Sequence, residues 1–231
     1  MGDGVLLILG ILIGILIIIS VGLSFVVFVT GGLTKRSICY AVLVILLAGY
    51  SIVGFVYTNT DIVTLYTVMA SDIIVPSMAF FMFASALSLK RLPKKQFFQL
   101  FFFAMLPVLI FWSNWIWRGS LSLSTDLVYI NETGEKITVY NSFLMTWEYL
   151  LLVVYWVAGL FTYSQVIKEN HDQRILKRVK MARLGLAVGF AGALGMELLV
   201  GVVPYAHSIG HVLLFPLVLF SYKAFMTDYV D

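Results

Sequence analysis

Charge is scarce in this chain, and so are cysteine and histidine. Of 231 residues only 12% are charged and 61% are hydrophobic, whereas an average soluble domain has about 25% charged residues. The single cysteine, Cys39, excludes an intrachain disulfide and a thiolate metal cluster. Three histidines are too few for a metal cage of imidazoles alone, although a mixed carboxylate–imidazole site stays open. We expect a lipid bilayer as the surroundings and no nucleic-acid partner.

Seven apolar stretches are long enough to cross a bilayer, whose ~30 Å of hydrocarbon takes about 20 helical residues. They cover roughly residues 5–30, 37–57, 62–88, 96–117, 142–164, 183–203 and 206–226. The last two need a tight turn at Pro204 and Tyr205, whereas an even count would require one overlong helix over 183–226. The acidic start lacks the basic region of a cleaved signal peptide, so the first stretch is expected to remain. We therefore predict an all-α, seven-transmembrane helix bundle forming a single domain, 1–231.

Basic residues fall mostly on one side of these spans. They follow the first span and cluster in segments 90–95 and 168–183, whereas only Arg118 and Lys136 fall in the opposite loops. Loops rich in Lys and Arg face the cytoplasm. The pattern predicts a multi-pass protein of the cell membrane with its N-terminus outside and its C-terminus cytoplasmic.

The outer segment 118–141 has a β-hairpin pattern between helices four and five. Residues 127–130 and 136–140 are rich in β-branched and aromatic residues, and 131–135 supply turn residues with a glycine. A short hairpin above the helix ends and a plain connector are both open. Asn131 also begins a glycosylation acceptor triplet.

The inner segment 165–183 is basic with interspersed acids. It could extend the fifth or sixth helix into the cytoplasm. A face of this charge is typically held near anionic lipid headgroups. The alternative is a docking site for a cytoplasmic signalling partner.

Several polar side chains interrupt the apolar spans, mostly in their outer halves. A charge at the bilayer centre costs at least ~2.5 kcal/mol, so such groups usually serve a function or are paired. We expect Glu197 about six residues inside the outer end of span six, which is ~9 Å at 1.5 Å per helical residue. The candidate ligand-binding residues are Asp72, Glu148, Glu197, His211, His207 and Asn114.

Three interpretations of this polar set stay open. The side chains can simply hydrogen-bond between helices, which contributes only ~0.6 kcal/mol on average in a membrane. They can line an outward-facing pocket for a cation, an amine or a metal. They can also relay protons or sense pH, because histidine titrates near neutrality.

Prolines are expected to shape the same region. Pro76 follows Asp72 by four residues, and a helix-interior proline leaves the carbonyl at i−4 without its donor. Pro107 and Pro216 can kink the fourth and seventh spans. Such kinks form pocket walls and sometimes hinges.

Small residues recur on one face of the sixth span. They are Ala182, Gly185, Gly189, Gly192 and Ala193. Spacings of three and four let another helix approach closely. We expect that helix to belong to the same bundle, with a homodimer face as the alternative.

Three short segments of the chain carry a family resemblance. They are Ile74–Phe83 running into Lys90-Arg91, Leu106-Pro107, and the basic stretch Gln173–Arg183 leading into Leu184-Gly185. Together with the layout of the spans, they resemble the N-terminal seven-helix sensor region of membrane histidine kinases. The resemblance implies detection of an outside or membrane-borne signal and its transfer through the last helix to a kinase. Because the sequence stops at Asp231, we expect either an output to a separate partner or another role for the module.

The function expected from the sequence is a non-enzymatic sensor or receptor module. Its outward-facing pocket would use the six polar residues, without a cofactor. The alternative is a small transporter or permease component for a cation, an amine or a proton-coupled solute. Lys223 lies too close to the inner edge for a retinal Schiff base, and no nucleophile–base pair or phosphate-binding loop indicates an enzyme.

Overall fold

The computed structural model describes residues 2–59, 65–117, 125–130, 136–140, 142–199, 202 and 206–225. Eight helices and two strands lie within them. The helices are α1 Gly2–Gly31, α2 Lys35–Asn59, α3 Leu65–Ser88, α4 Lys94–Trp117, α5 Ser142–Glu169, α6 Gln173–Glu197, α7 Ala206–Val212 and α8 Phe215–Phe225, and the strands are β1 Thr125–Ile130 and β2 Lys136–Tyr140.

Six of the described helical segments are long and apolar enough to cross a membrane. They are Leu7–Gly31, Lys35–Val53, Lys94–Ser113, Thr146–Glu169, Gln173–Met196 and Ser208–Phe225. Helix α3 adds a shorter apolar segment, Ile73–Ser88, in the part where its side chains are described. The fold is therefore that of a helical, multi-pass membrane protein.

The basic stretch between spans five and six is almost entirely helical. Helix α5 continues to Glu169 and α6 already begins at Gln173, which leaves only residues 170–172 between them. Asp172 caps α6, because its Oδ1 accepts a 2.8 Å hydrogen bond from the backbone N–H of Arg174. The sequence allowed 165–183 to extend the fifth or the sixth helix, and in the structure both helices extend into it.

The seventh apolar stretch consists of two consecutive helices rather than one. Helix α7 ends at Val212 and α8 begins at Phe215. Pro216 has no N–H to offer the carbonyl of Val212. At the break, the N–H of Leu214 turns to the nearer carbonyl of His211 at 3.2 Å. The turn expected at Pro204 and Tyr205 lies outside the described residues.

Helices α6 and α8 approach each other along the glycine face of α6. A Cβ added to Gly185 would lie 2.5 Å from the carbonyl oxygen of Pro216, and one added to Gly189 would lie 3.0 Å from the backbone nitrogen of Leu217. Backbone is therefore in contact with backbone, which only glycine permits. The prediction that the small-residue stripe packs inside the bundle is confirmed.

Helix α2 lies in the interior and is joined to its neighbours by hydrogen bonds. It packs against α1 and α3, and α3 packs against α5. The fully buried Tyr40 donates a 3.1 Å hydrogen bond to the carbonyl of Val218 on α8. Ser85 of α3 donates to the carbonyl of Cys39 at 3.2 Å. Hydroxyl side chains thus join helices at a depth where lipid offers no hydrogen-bond partners.

The two strands form an antiparallel pair in the segment between α4 and α5. Ile130 pairs with Lys136 and Thr125 with Tyr140, with an irregularity between Thr125 and Leu127. Residues 131–135, where the sequence predicts the turn and the glycosylation triplet, lie outside the described part of the chain.

Gly185→Ala is expected to lower the free energy of unfolding by about 1–3 kcal/mol, the usual cost of overpacking. The new Cβ would meet the backbone of Pro216, which cannot rotate away as a side chain can. Thermal unfolding in detergent, followed by circular dichroism, measures the change.

Gly195→Ala is the matched control on the same helix, because a Cβ there meets nothing within 4 Å. It is expected to be neutral or slightly stabilising, since alanine exceeds glycine in helix propensity by up to ~1 kcal/mol. Equal effects of the two substitutions would contradict the close α6–α8 contact.

Candidate functional site

The structure gives side-chain positions for two of the six candidate residues, Glu148 and His211. The other four are located by their backbone alone. They are Asp72 in α3, Asn114 in α4, Glu197 at the end of α6 and His207 in α7.

His211 lies in the interior of the bundle. Its exposed fraction is 1%, and its ring centroid is 4.5 Å from that of Tyr50 at an interplanar angle of 44°. Helix α7 reaches this place by packing against α1, α2 and α6. His211 is thus an interior group that contacts an aromatic ring, and it does not face lipid.

Buried hydroxyl groups lie on α7, the helix of His211, and on two helices that pack against it. Ser208 on α7 is 3% exposed, and Ser51 on α2 and Ser20 on α1 are fully buried. Ser51 donates to the carbonyl of Leu47 at 2.9 Å. The hydroxyl oxygen of Ser20 has no hydrogen-bond partner among the described residues.

Ser20 lies at nearly the same depth as His211. A hydrogen bond of 3.3 Å from Ser24 to the carbonyl of Ala41 aligns α1 with α2, and the Tyr40–Val218 bond aligns α2 with α8. Counting about 1.5 Å per residue from these contacts separates Ser20 from His211 by only ~3 Å along the bundle axis. The polar level therefore spans α1, α2 and α7.

The break between α7 and α8 lies directly below His211. The carbonyl of Val212 has lost its helical donor to Pro216, and the carbonyl of His211 accepts from Leu214. Interrupted helices place backbone polar groups at membrane depth only where protein or a cavity satisfies them. Transporters use such breaks to coordinate substrates and ions.

Glu148 lies on a different helix of the bundle. It is half-buried in the second turn of α5. Helix α5 packs against α3 and α6, so α6 is a neighbour of both the Glu148 helix and the His211 helix. The Nε1 of Trp156, two turns further along α5, donates a 3.2 Å hydrogen bond to the carbonyl of Leu186 on α6.

The helix end predicted beyond Glu197 is wrong. The sequence predicts a helix that continues about six residues to near 203, but α6 ends at Glu197 itself. The depth of Glu197 in a bilayer stays a prediction. The following Leu198 and Leu199 form a turn and are 75% and 41% exposed. A carboxylate at the C-terminal end of a helix is disfavoured by the negative end of the helix dipole.

No group of three or more His, Cys, Asp and Glu side chains within the described residues is arranged to hold a metal ion. In that part of the chain the site consists of an imidazole, aromatic and aliphatic hydroxyls and released carbonyl groups. The imidazole and the hydroxyl groups can donate and accept hydrogen bonds, whereas the carbonyl groups only accept them.

At the other end of the bundle, which we call the basic end, side chains cross-link the helices. Lys90 donates to Oε1 of Gln165 at 2.7 Å and lies 3.5 Å from Glu169. Lys35 donates to the carbonyls of Lys90 and Leu92 at 3.4 and 3.3 Å. These contacts tie α2 and α5 to the connection between α3 and α4.

Sequence reasoning missed Tyr50, Ser20, Ser51 and Ser208 because they are uncharged and common in apolar spans. For Ser20 a signal was present. It lies four residues after Leu16 and four before Ser24, on the same buried face of α1. Ser51 carries a comparable signal, because it lies four residues after Leu47 on the buried face of α2.

Comparison with known proteins gave no match to a family model, to a curated protein or to a solved structure. The function is therefore argued from the residues alone.

We expect substitutions of Tyr50 and His211 to have non-additive effects on the free energy of unfolding, because the two rings are in contact. Tyr50→Ala and His211→Ala should each cost about 2–4 kcal/mol as large-to-small core changes. The double variant should cost about 0.5–1.5 kcal/mol less than their sum, because ring pairs contribute that much beyond area. Chemical unfolding in mixed micelles measures the cycle. Additivity within about 0.3 kcal/mol would show that the rings do not interact.

Proposed function

We propose that this protein is a sensor or receptor module of the cell membrane, with seven membrane-spanning segments. Its N-terminus would lie outside and its C-terminus in the cytoplasm, so that the basic end faces the cytoplasm. An outward-facing polar pocket would receive the ligand or proton, and a separate cytoplasmic partner would receive the output. The observation that supports this most is the burial of His211 against Tyr50 immediately above the α7–α8 break.

The pocket in this proposal is centred on His211. Asp72, Glu148, His207 and Asn114 would contribute from the surrounding helices. Glu197 is assigned to the rim rather than the interior, because it ends α6.

The route of the signal in this proposal is α8. Below the break, this helix lies against the glycines of α6 and accepts the Tyr40 hydrogen bond at Val218. A tightly packed helix moves as a unit, since packed interiors switch between discrete arrangements rather than deform continuously. A ligand that displaces His211 would therefore shift α8 and its end at Phe225. The resemblance to histidine kinase sensor regions agrees with an output through the last helix.

A small transporter is the second candidate. The interrupted last span favours it, because broken helices form the substrate and ion sites of many transporters. Its cargo would be a cation, an amine or a proton-coupled solute.

His211→Ala should remove the response to protons or to a ligand. The thermal midpoint of the wild type is titrated from pH 5 to 8, and then with Zn²⁺ and with tetramethylammonium. His171→Ala is the matched control, because this histidine lies exposed between α5 and α6. The wild type and the control should respond, and His211→Ala should not. Glu197→Gln should weaken a cation response only partly, since it lies at the rim.

An unresponsive wild type would leave the polar groups with a purely structural role. Uptake of labelled tetramethylammonium, or uptake of protons, into proteoliposomes would favour the transporter over the sensor if His211→Ala abolishes it.

The proposed topology can be tested with single cysteines. Cys39 is replaced by alanine, and cysteine is introduced in turn at Asp3, Thr133, His171 and Asp228. An impermeant maleimide on intact cells should label the first two positions and should label the last two only after lysis. Labelling of Asp3→Cys and Asp228→Cys from the same side would contradict an odd number of spans.

A further inference from the structure

Exposed residues form one line along α6. They are apolar toward the C-terminal end of the helix and basic toward its start. Met181, Leu184 and Val188 are 37%, 47% and 50% exposed. Lys177 and Arg174 are also exposed and continue this line toward the start of the helix. At 100° per residue, these five positions fall within one third of the helix circumference. Val179 and Ala182, which are fully buried, mark the opposite face.

Helix α5 repeats the arrangement beside α6. Val154, Val157 and Phe161 are 52%, 53% and 62% exposed and lie on one face. Lys168, at the basic end of the same face, is exposed as well. Since α5 and α6 pack together, their basic ends form one surface.

The length of α6 brings these basic residues to headgroup depth. Its apolar span covers 24 residues, Gln173–Met196, which corresponds to about 36 Å of helix. The hydrocarbon takes only ~30 Å of this. With Met196 at the outer edge of the hydrocarbon, the excess puts about one turn of the basic end outside it, and long lysine and arginine side chains reach toward headgroups from the next turn.

The charges on this surface are not neutralised within the described part of the chain. The side chains of Arg174, Lys177, Lys180 and Lys168 form no hydrogen bond or ion pair there. The nearby acids have other partners, since Glu169 lies 3.5 Å from Lys90 and Asp172 accepts from the backbone of Arg174.

We propose that Arg174, Lys177, Lys180 and Lys168 form a binding surface for the headgroups of anionic phospholipids. The surface continues the lipid-exposed apolar lines of α5 and α6, so it faces sideways into the headgroup layer. A soluble partner would approach from below instead. Anionic headgroups supply the missing negative charge, and the apolar residues above contact the acyl chains of the same lipid.

We expect a large preference of this surface for anionic over zwitterionic phospholipids. Each basic residue near an anionic surface contributes about fivefold in affinity, equivalent to ~1 kcal/mol. Lys177→Gln combined with Lys180→Gln should therefore weaken the preference for phosphatidylglycerol over phosphatidylcholine at least about fivefold.

The test uses the full chain in nanodiscs of phosphatidylcholine with 0 to 30% phosphatidylglycerol. Native mass spectrometry counts the retained anionic lipids, and thermal unfolding checks stability. Arg118→Gln with Lys136→Gln is the charge-matched control from the opposite loop. The wild type and the control should retain phosphatidylglycerol and unfold at a higher temperature in its presence.

Two results would overturn the proposal. One is a wild type that retains both lipids equally. The other is a Lys177→Gln, Lys180→Gln variant that keeps the full preference while unfolding normally in phosphatidylcholine. If that variant instead loses binding of a soluble poly-glutamate peptide at unchanged lipid retention, the surface serves a protein partner and the lipid proposal is wrong.

Discussion

The close approach of α6 and α8 is the contact on which the rest of the bundle depends. Helices gain little from the hydrophobic effect inside a bilayer, so their association rests on dispersion contacts and interhelical hydrogen bonds. The absence of Cβ atoms at Gly185 and Gly189 brings the two backbones together. This places Val218 within reach of Tyr40, whose hydrogen bond ties α8 to α2. The position of α7, and with it that of His211, follows from where α8 is held.

Six long apolar helices and the glycine stripe could be predicted, because each depends on a local property. Span length follows from bilayer thickness, and the stripe follows from helical periodicity, so neither requires knowledge of the neighbouring helices. The break between α7 and α8 could not be predicted in the same way. Pro216 is compatible with a kink inside a helix and also with the first turn of a new helix. The structure distinguishes the two, because α8 begins at Phe215 and Pro216 lies in its first turn.

The candidate site could be predicted only in part, for a related reason. Ionisable residues attract notice because their burial is costly, and His211 is indeed an interior residue. It contacts Tyr50, and the buried serines Ser20, Ser51 and Ser208 lie on the same helix or on helices packed against it. Such residues are frequent in any membrane helix, so their convergence at one depth depends on helix register. The Ser24–Ala41 and Tyr40–Val218 hydrogen bonds set that register.

The two ends of the bundle differ in how firmly their helices are joined. At the basic end, Lys35 and Lys90 connect α2 and α5 to the α3–α4 connection through four polar contacts. Just after His211 the helix is interrupted, and Pro216 offers no backbone N–H to the carbonyl of Val212. Because a structure opens first where backbone hydrogen bonds are fewest, the region around the break should rearrange at lower free-energy cost than the basic end. A movement that begins near His211 would then reach the cross-linked end through α8, whose first half is packed against Gly185 and Gly189 of α6.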